Sequence, residues 1–220
     1  MLNRRTLLSL LAAGTAAGGA AVFWPRGDAG APVGFDFGAA HAQGAVDIPD
    51  MMLGDPNAPV KVVEYASFTC PHCASFHADT FKAFKAEYID TGKVHFTYRE
   101  VFFDRYGLWA SMIARCAGPD RYFGVADLIY QSQGEWARQG DATAVADSLK
   151  RIGLTAGLEQ AELDACLQDA ATAEGLYSWY QANAARDGVR STPTFLINGD
   201  AHSGNMSLSQ IGRLVDDAAS

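Results

Sequence analysis

Basic residues are few in this chain, and they are scattered. Seventeen Lys and Arg stand against twenty-five Asp and Glu in 220 residues, a formal net charge of −8. No stretch gathers the positive side chains into a patch. That excludes a nucleic-acid partner, which needs a concentrated basic face, and leaves a solvated surface as the reading for each Lys and Arg. An internal repeat is also missing, so the chain is not built from stacked identical units. Strand-like alternation is absent from the middle third of the sequence. Cysteine is limited to four residues, few enough that the position of each can be weighed. Apolar material is ample: 49% of residues are hydrophobic and 19% charged. This is an ordinary globular balance, sufficient for one domain or one domain carrying an insertion.

The first residues read as a segment apart from the fold. Arg4 and Arg5 precede an apolar stretch over residues 6–24, rich in Ala, Gly and Leu. A charged start followed by such a run is the pattern of an export signal. Its small-residue content makes it a weak membrane anchor. A Pro-, Gly- and Ala-rich linker follows, containing Ala40-His41-Ala42, and cleavage is expected after Ala42. If it were not cleaved, the segment would tether the protein to the membrane. Asn3-Arg4-Arg5-Thr6-Leu7-Leu8 also resembles a twin-arginine signal. Export places the cysteines in an oxidising compartment, where disulfides persist.

The remainder has a clear order. Residues 50–54 read as a short edge strand, ended by the turn signal Asp55-Pro56-Asn57-Ala58-Pro59. Residues 60–68 are largely apolar and β-branched, as a buried central strand requires. From Cys70 the spacing becomes helical, with Phe76, Thr80, Phe81, Phe84 and Tyr88 three or four residues apart until Thr91-Gly92. Residues 93–101 alternate with period two. The sum is a βαβ unit. Helical patterns follow over residues 108–117, 121–131, 142–152, 159–173 and 173–186. Residues 188–200 then return to β character with a turn at Asn198-Gly199, and Ser207 opens a last helix. The sequence therefore predicts an α/β domain over residues 43–104 and 188–220, with a helical insertion over residues 105–187.

The chemistry centres on Cys70-Pro71-His72-Cys73. Cys70 lies at the strand-to-helix transition, where free backbone N–H groups and the helix dipole favour a thiolate. Cys73 lies one turn further in. Pro71 suits the first turn, where its missing N–H removes no bond, and His72 brings a cation or donor near Cys70. Stabilising the thiolate stabilises the reduced form and makes the disulfide a better oxidant. Two plainer readings are weaker. A structural disulfide closing so small a ring would stabilise little. A zinc site using Cys70, His72, Cys73 and His77 lacks a second, distant ligand pair. Thr192-Pro193 starts a strand, and on local grounds its peptide bond would be trans.

Taken together, Leu53-Gly54 through Ala58-Pro59-Val60, Glu64-Tyr65-Ala66-Ser67 before the CPHC motif, and Gly188-Val189 through Thr192-Pro193-Thr194-Phe195-Leu196-Ile197-Asn198-Gly199 resemble the DsbA family of periplasmic thiol:disulfide oxidoreductases. The resemblance covers nearly the whole chain after residue 45. It implies a thioredoxin-like fold with an inserted α-helical domain, Cys70 as the exposed cysteine that receives substrate attack and Cys73 as the buried resolving thiol. It also implies a cis Thr192-Pro193 loop that receives substrate backbone, and Glu64 beneath the motif as a proton partner of Cys73. The plain alternative for Glu64 is a surface carboxylate at a strand end. Ser191 departs from the glycine of many relatives. Cys116 shares a helical face with Trp109, Met112 and Ile113, and Cys166 shares one with Leu163, Leu167 and Ala170. They are either two buried thiols or, as the compartment favours and some relatives imply, one bridge. By the same resemblance the substrates are unfolded or newly exported cysteine-containing proteins, and a membrane quinone-linked partner reoxidises the enzyme. No cofactor or metal is implied, and a monomer is expected. The alternatives are an isomerase or reductase on the same fold, or a metal-handling or thiol-chaperone protein. The isomerases are usually dimers with an extra N-terminal region, for which residues 43–50 leave no room.

Overall fold

A computed structural model describes residues 46–220. The export segment over residues 1–42 and its cleavage point after Ala42 lie outside the described residues. No helix among the described residues is long and apolar enough to cross a membrane.

Five strands form one mixed sheet: β1 (Met51–Leu53), β2 (Val60–Ala66), β3 (Val94–Glu100), β4 (Thr194–Ile197) and β5 (Asp200–Ser203), in the order β1-β3-β2-β4-β5. β2 is central. It runs parallel to β3 and antiparallel to β4, with Glu64 opposite Tyr98 on one side and Phe195 on the other. The β-branched residues of β2 explain the position, since Val60 and Val62 are fully buried. The parallel β2/β3 pair requires a crossover, and the helix that begins at the CPHC motif supplies it.

That crossover, α1, starts as Pro71–Phe76 and continues through a π-helical segment, His77–Phe81, then Lys82–Phe84 and a second π-helical segment, Lys85–Ile89. Each π turn takes in extra residues and so rotates the apolar stripe. Phe76 and Phe84 are buried as the spacing predicts, but at the end of the helix Ile89 takes the core position and Tyr88 is only half-buried.

Six helices fill the interval between β3 and β4: α2 (Arg105–Cys116), α3 (Pro119–Gln131), α4 (Gln133–Trp136), α5 (Ala142–Thr155), α6 (Gln160–Gln168) and α7 (Ala170–Arg186). The short α4 escapes sequence reading because one turn shows no periodicity. The boundary between the last two helices falls at Asp169 and not at Ala173. The Asp169 carboxylate accepts the Thr172 N–H at 3.0 Å and starts α7 as an N-cap. Asp104 caps α2 in the same way, at 2.8 and 2.9 Å from the N–H groups of Tyr106 and Gly107. The last helix, α8 (Leu208–Ala218), opens on a capping box of Ser207 and Gln210.

Buried polar ties join the helices to the sheet. Glu100 at the end of β3 takes both arms of Arg115 at 2.7 Å and the Tyr122 hydroxyl at 2.8 Å. One β3 carboxylate thus links α2 and α3, and losing one partner of such a buried pair costs about 3–5 kcal/mol. Nearby, Arg99 binds Asp50 at 2.8 Å and Asp187 at 3.0 Å, which holds the start of the described chain and the end of α7 on the same strand.

Candidate active site

β2 ends at Ala66, and the next four residues turn the chain into α1. Their backbone is held from several directions. The Cys70 N–H donates to the Ser67 carbonyl at 3.0 Å, and the Thr69 hydroxyl donates to Asp104 at 2.9 Å. Gln133, from α4, donates its side-chain amide to the carbonyls of Phe68 at 2.7 Å and Cys70 at 3.0 Å. Gly107 lets α2 come close, because a Cβ there would lie 3.3 Å from the Ser67 hydroxyl.

The two thiols have opposite surroundings. Cys70 is lowered from the ordinary value of 9.0 to about 5. The Cys73 thiol donates to it, burial opposes the shift, and Thr192 and the backbone N–H groups of Cys73 and His72 add further bonds. Cys73 is driven the other way. Burial, its hydrogen bond to Cys70 and the Glu64 charge all hold its proton on. One sulfur therefore ionises while the other remains a thiol.

One expectation needs correction here. Cys70 is not exposed: 8% of its surface is open to solvent, against 0% for Cys73. The active-site turn and the Thr192 loop cover it, and its S–H donates to the Thr192 carbonyl at 3.5 Å. His72 serves Cys70 through its backbone N–H, while the residue as a whole lies at the surface. Pro71 occupies the first position of α1, also exposed.

The Thr192-Pro193 peptide is cis, whereas local preference alone favours trans. The Thr192 hydroxyl is buried and has no other hydrogen-bond partner, which leaves it to the Cys70 sulfur. Once the sulfur ionises and becomes an acceptor, that hydroxyl is a donor at hand. Ser191 accepts the Thr194 hydroxyl on its carbonyl at 2.8 Å, which tightens the same loop.

Glu64 is fully buried in the middle of the sheet, so the surface alternative fails. Its carboxylate meets His77 Nε2 at 3.2 and 3.1 Å. The imidazole stacks on Tyr130 with centroids 4.4 Å apart and planes at 19°, and Tyr98 meets it edge-on at 5.8 Å. The Tyr98 and Tyr130 hydroxyls bond each other at 2.6 Å, and Tyr130 donates to the Ser67 carbonyl at 3.3 Å. In the sequence His77 is only a weak zinc-ligand candidate, and its signal is its place one turn after Cys73 on a helix starting at the motif. Among the described residues, no cluster of His, Cys, Asp or Glu is arranged to hold a metal ion.

Cys116 and Cys166 form a disulfide between the end of α2 and α6, with Cα atoms 6.1 Å apart. Cys70 and Cys73 are free thiols.

Comparison with known proteins places this geometry. A family model described as thioredoxin matches residues 47–217. A Rickettsia typhi protein, named provisionally as a protein-disulfide oxidoreductase, is 35% identical over 174 residues, which is 79% of this chain and 63% of that protein. The chain thus spans somewhat under two thirds of the length of such relatives. The crystal structure of alpha-DsbA1 from Wolbachia pipientis superposes with a TM-score of 0.71 at 30% identity, covering 79% of this chain and 93% of that one. Oxidised BdbD from Bacillus subtilis shares the fold, with a TM-score of 0.68 at 20% identity over 77% of this chain and 92% of its own. The chain belongs to the thioredoxin family, and within it to the DsbA-like proteins.

Proposed function

We propose that this protein is an exported disulfide oxidase that introduces disulfides into unfolded or newly translocated proteins. The observation that carries this is the opposed state of two neighbouring sulfurs: Cys70 lowered to about 5 and Cys73 held as a thiol by burial and the Glu64 charge. In the oxidised enzyme a substrate thiolate attacks the Cys70 sulfur and the Cys70/Cys73 bond breaks. Cys73 leaves and takes a proton from Glu64. A second substrate thiolate then attacks the substrate sulfur joined to Cys70. Cys70 leaves as its stabilised thiolate, and the substrate disulfide is complete. A low thiol pKa makes Cys70 the better leaving group in that last step.

Substrate backbone pairs along the Thr192-Pro193 loop. The Pro193 carbonyl is already occupied by the Gly204 N–H at 2.8 Å, so pairing falls to residues on its N-terminal side. Residues 1–42 act as the export signal, cleaved after Ala42, and the mature protein works as a monomer in the periplasm. A membrane quinone-linked partner restores the disulfide by taking two electrons from the reduced pair.

The test is the equilibrium of the Cys70/Cys73 pair with reduced and oxidised glutathione, followed by mass shift after thiol blocking. An oxidase gives a strongly oxidising potential, well above the glutathione couple. A potential near that of thioredoxin would overturn the oxidase reading and select a reductant.

A further inference from the structure

Below the reactive pair lies a buried polar cluster that the exchange steps leave partly unused. Glu64 comes from β2, His77 from α1, Tyr98 from β3 and Tyr130 from α3, and all are buried. Burying a carboxylate in a sheet centre is costly unless a partner meets it. Its partner here is an imidazole that bonds both carboxylate oxygens, at 3.2 and 3.1 Å.

We infer that His77 is a positioning residue for the resolving thiol, holding Glu64 in the orientation from which it exchanges a proton with Cys73. Three observations carry this. First, the His77 ring has little freedom, being stacked on Tyr130 at 4.4 Å and packed against Phe81 at 4.6 Å. Second, its backbone N–H bonds the Cys73 carbonyl, so thiol and imidazole sit one turn apart on one helix face. Third, His77 opens the first π-helical segment of α1, and such segments recur where a helix must aim a functional side chain. The groups facing this pair are Cys73 on its own helix, Tyr98 from β3 and Tyr130 from α3. Burial holds both phenols protonated, so neither competes with Glu64 for the proton of Cys73.

The inference rests on the reading of Cys73 as the resolving thiol, and it holds whichever direction the pair runs in the cell. It is tested on one defined step. With Cys70 joined to glutathione, Cys73 gives its proton to Glu64 and its sulfur attacks that of Cys70. The Cys70–glutathione bond breaks as the Cys70/Cys73 bond forms. Glutathione leaves as the thiolate and takes up a proton from water, while the proton on Glu64 returns to solvent.

The experiment follows release of glutathione from that mixed disulfide against pH, in the native chain and in His77→Phe and His77→Gln. His77→Phe fills the aromatic space but bonds no carboxylate, and it should slow release about tenfold. His77→Gln keeps a donor, so it should recover most of the rate. Alkylation of Cys70 should keep its native pH midpoint in both variants. Release from His77→Phe at the native rate and with the native pH profile would overturn the inference alone. Absence of Cys73-dependent release in the native chain would overturn both it and the reading beneath it. If His77→Phe does not fold, His77→Leu takes its place, and release at the native rate in that variant counts against His77.

Discussion

Four cysteines make two pairs, and the pairs are opposites. Cys70 and Cys73 lie within one turn of one helix, where the backbone already holds them together and a bond between them constrains little chain. Their surroundings differ, so one ionises while the other keeps its proton. Cys116 and Cys166 are fifty residues apart and join two helices. A link of that span stabilises by about 4 kcal/mol in the loop-entropy model, one of two competing accounts of such stabilisation. The same covalent bond thus serves chemistry in one region and architecture in the other. Local geometry decides which.

The comparison breaks most severely at Cys70. Cys70→Ala should reduce oxidation of a reduced model peptide to background, and Cys73→Ala should accumulate mixed disulfides that mass spectrometry detects. Full activity in Cys70→Ala would remove the distinction between the pairs.

Next comes the ionisation of Cys70. Its alkylation rate by iodoacetamide should rise with pH through a midpoint near 5, the value to which its surroundings lower it. Because this pKa is depressed on folding, the thiolate stabilises the reduced protein fully above the unfolded value near 9.0 and loses that effect as pH falls through about 5. Melting temperatures of the reduced protein and of Cys70→Ser should therefore converge in acid and separate towards neutrality. Parallel curves across that window would count against a stabilised thiolate.

The architectural pair is sharpened by Cys116→Ser with Cys166→Ser. Chemical denaturation should show a loss of about 4 kcal/mol, with the alkylation midpoint of Cys70 unchanged. A shift in that midpoint would tie the second bridge to the chemistry. The smallest effect is expected at Asp104, which caps α2 and receives Thr69. Asp104→Ala should cost about 1 kcal/mol, visible as a modest shift in the denaturation midpoint.

How much of this was legible depends on where each contact comes from. The βαβ unit could be read because its signals are local: β-branched residues 60–65, a turn, then helical spacing from Cys70. Glu64 could be picked out because a carboxylate in an apolar strand is anomalous. Its partner could not, since His77 reaches it only after α1 folds over β2. Tyr98, Tyr130 and Gln133 are remote in sequence and carry no motif. Family resemblance makes Cys70 exposed but says nothing of the loop that covers it. Asp169 is not legible as a helix boundary because one carboxylate in an acidic, Ala-rich run does not look like a cap until it meets the Thr172 N–H.

Gln133 has a wider consequence. Its one amide spans two carbonyls of the turn that presents the nucleophile, and it sits in a helix of only four residues. The shape of the reactive turn is therefore borrowed from a small, separate piece of chain. On warming, fraying of that single turn would free the turn around Cys70 while the sheet stays intact. Heat inactivation would then begin before any cooperative melting, and the weakest part of the working enzyme would be a loan of two hydrogen bonds.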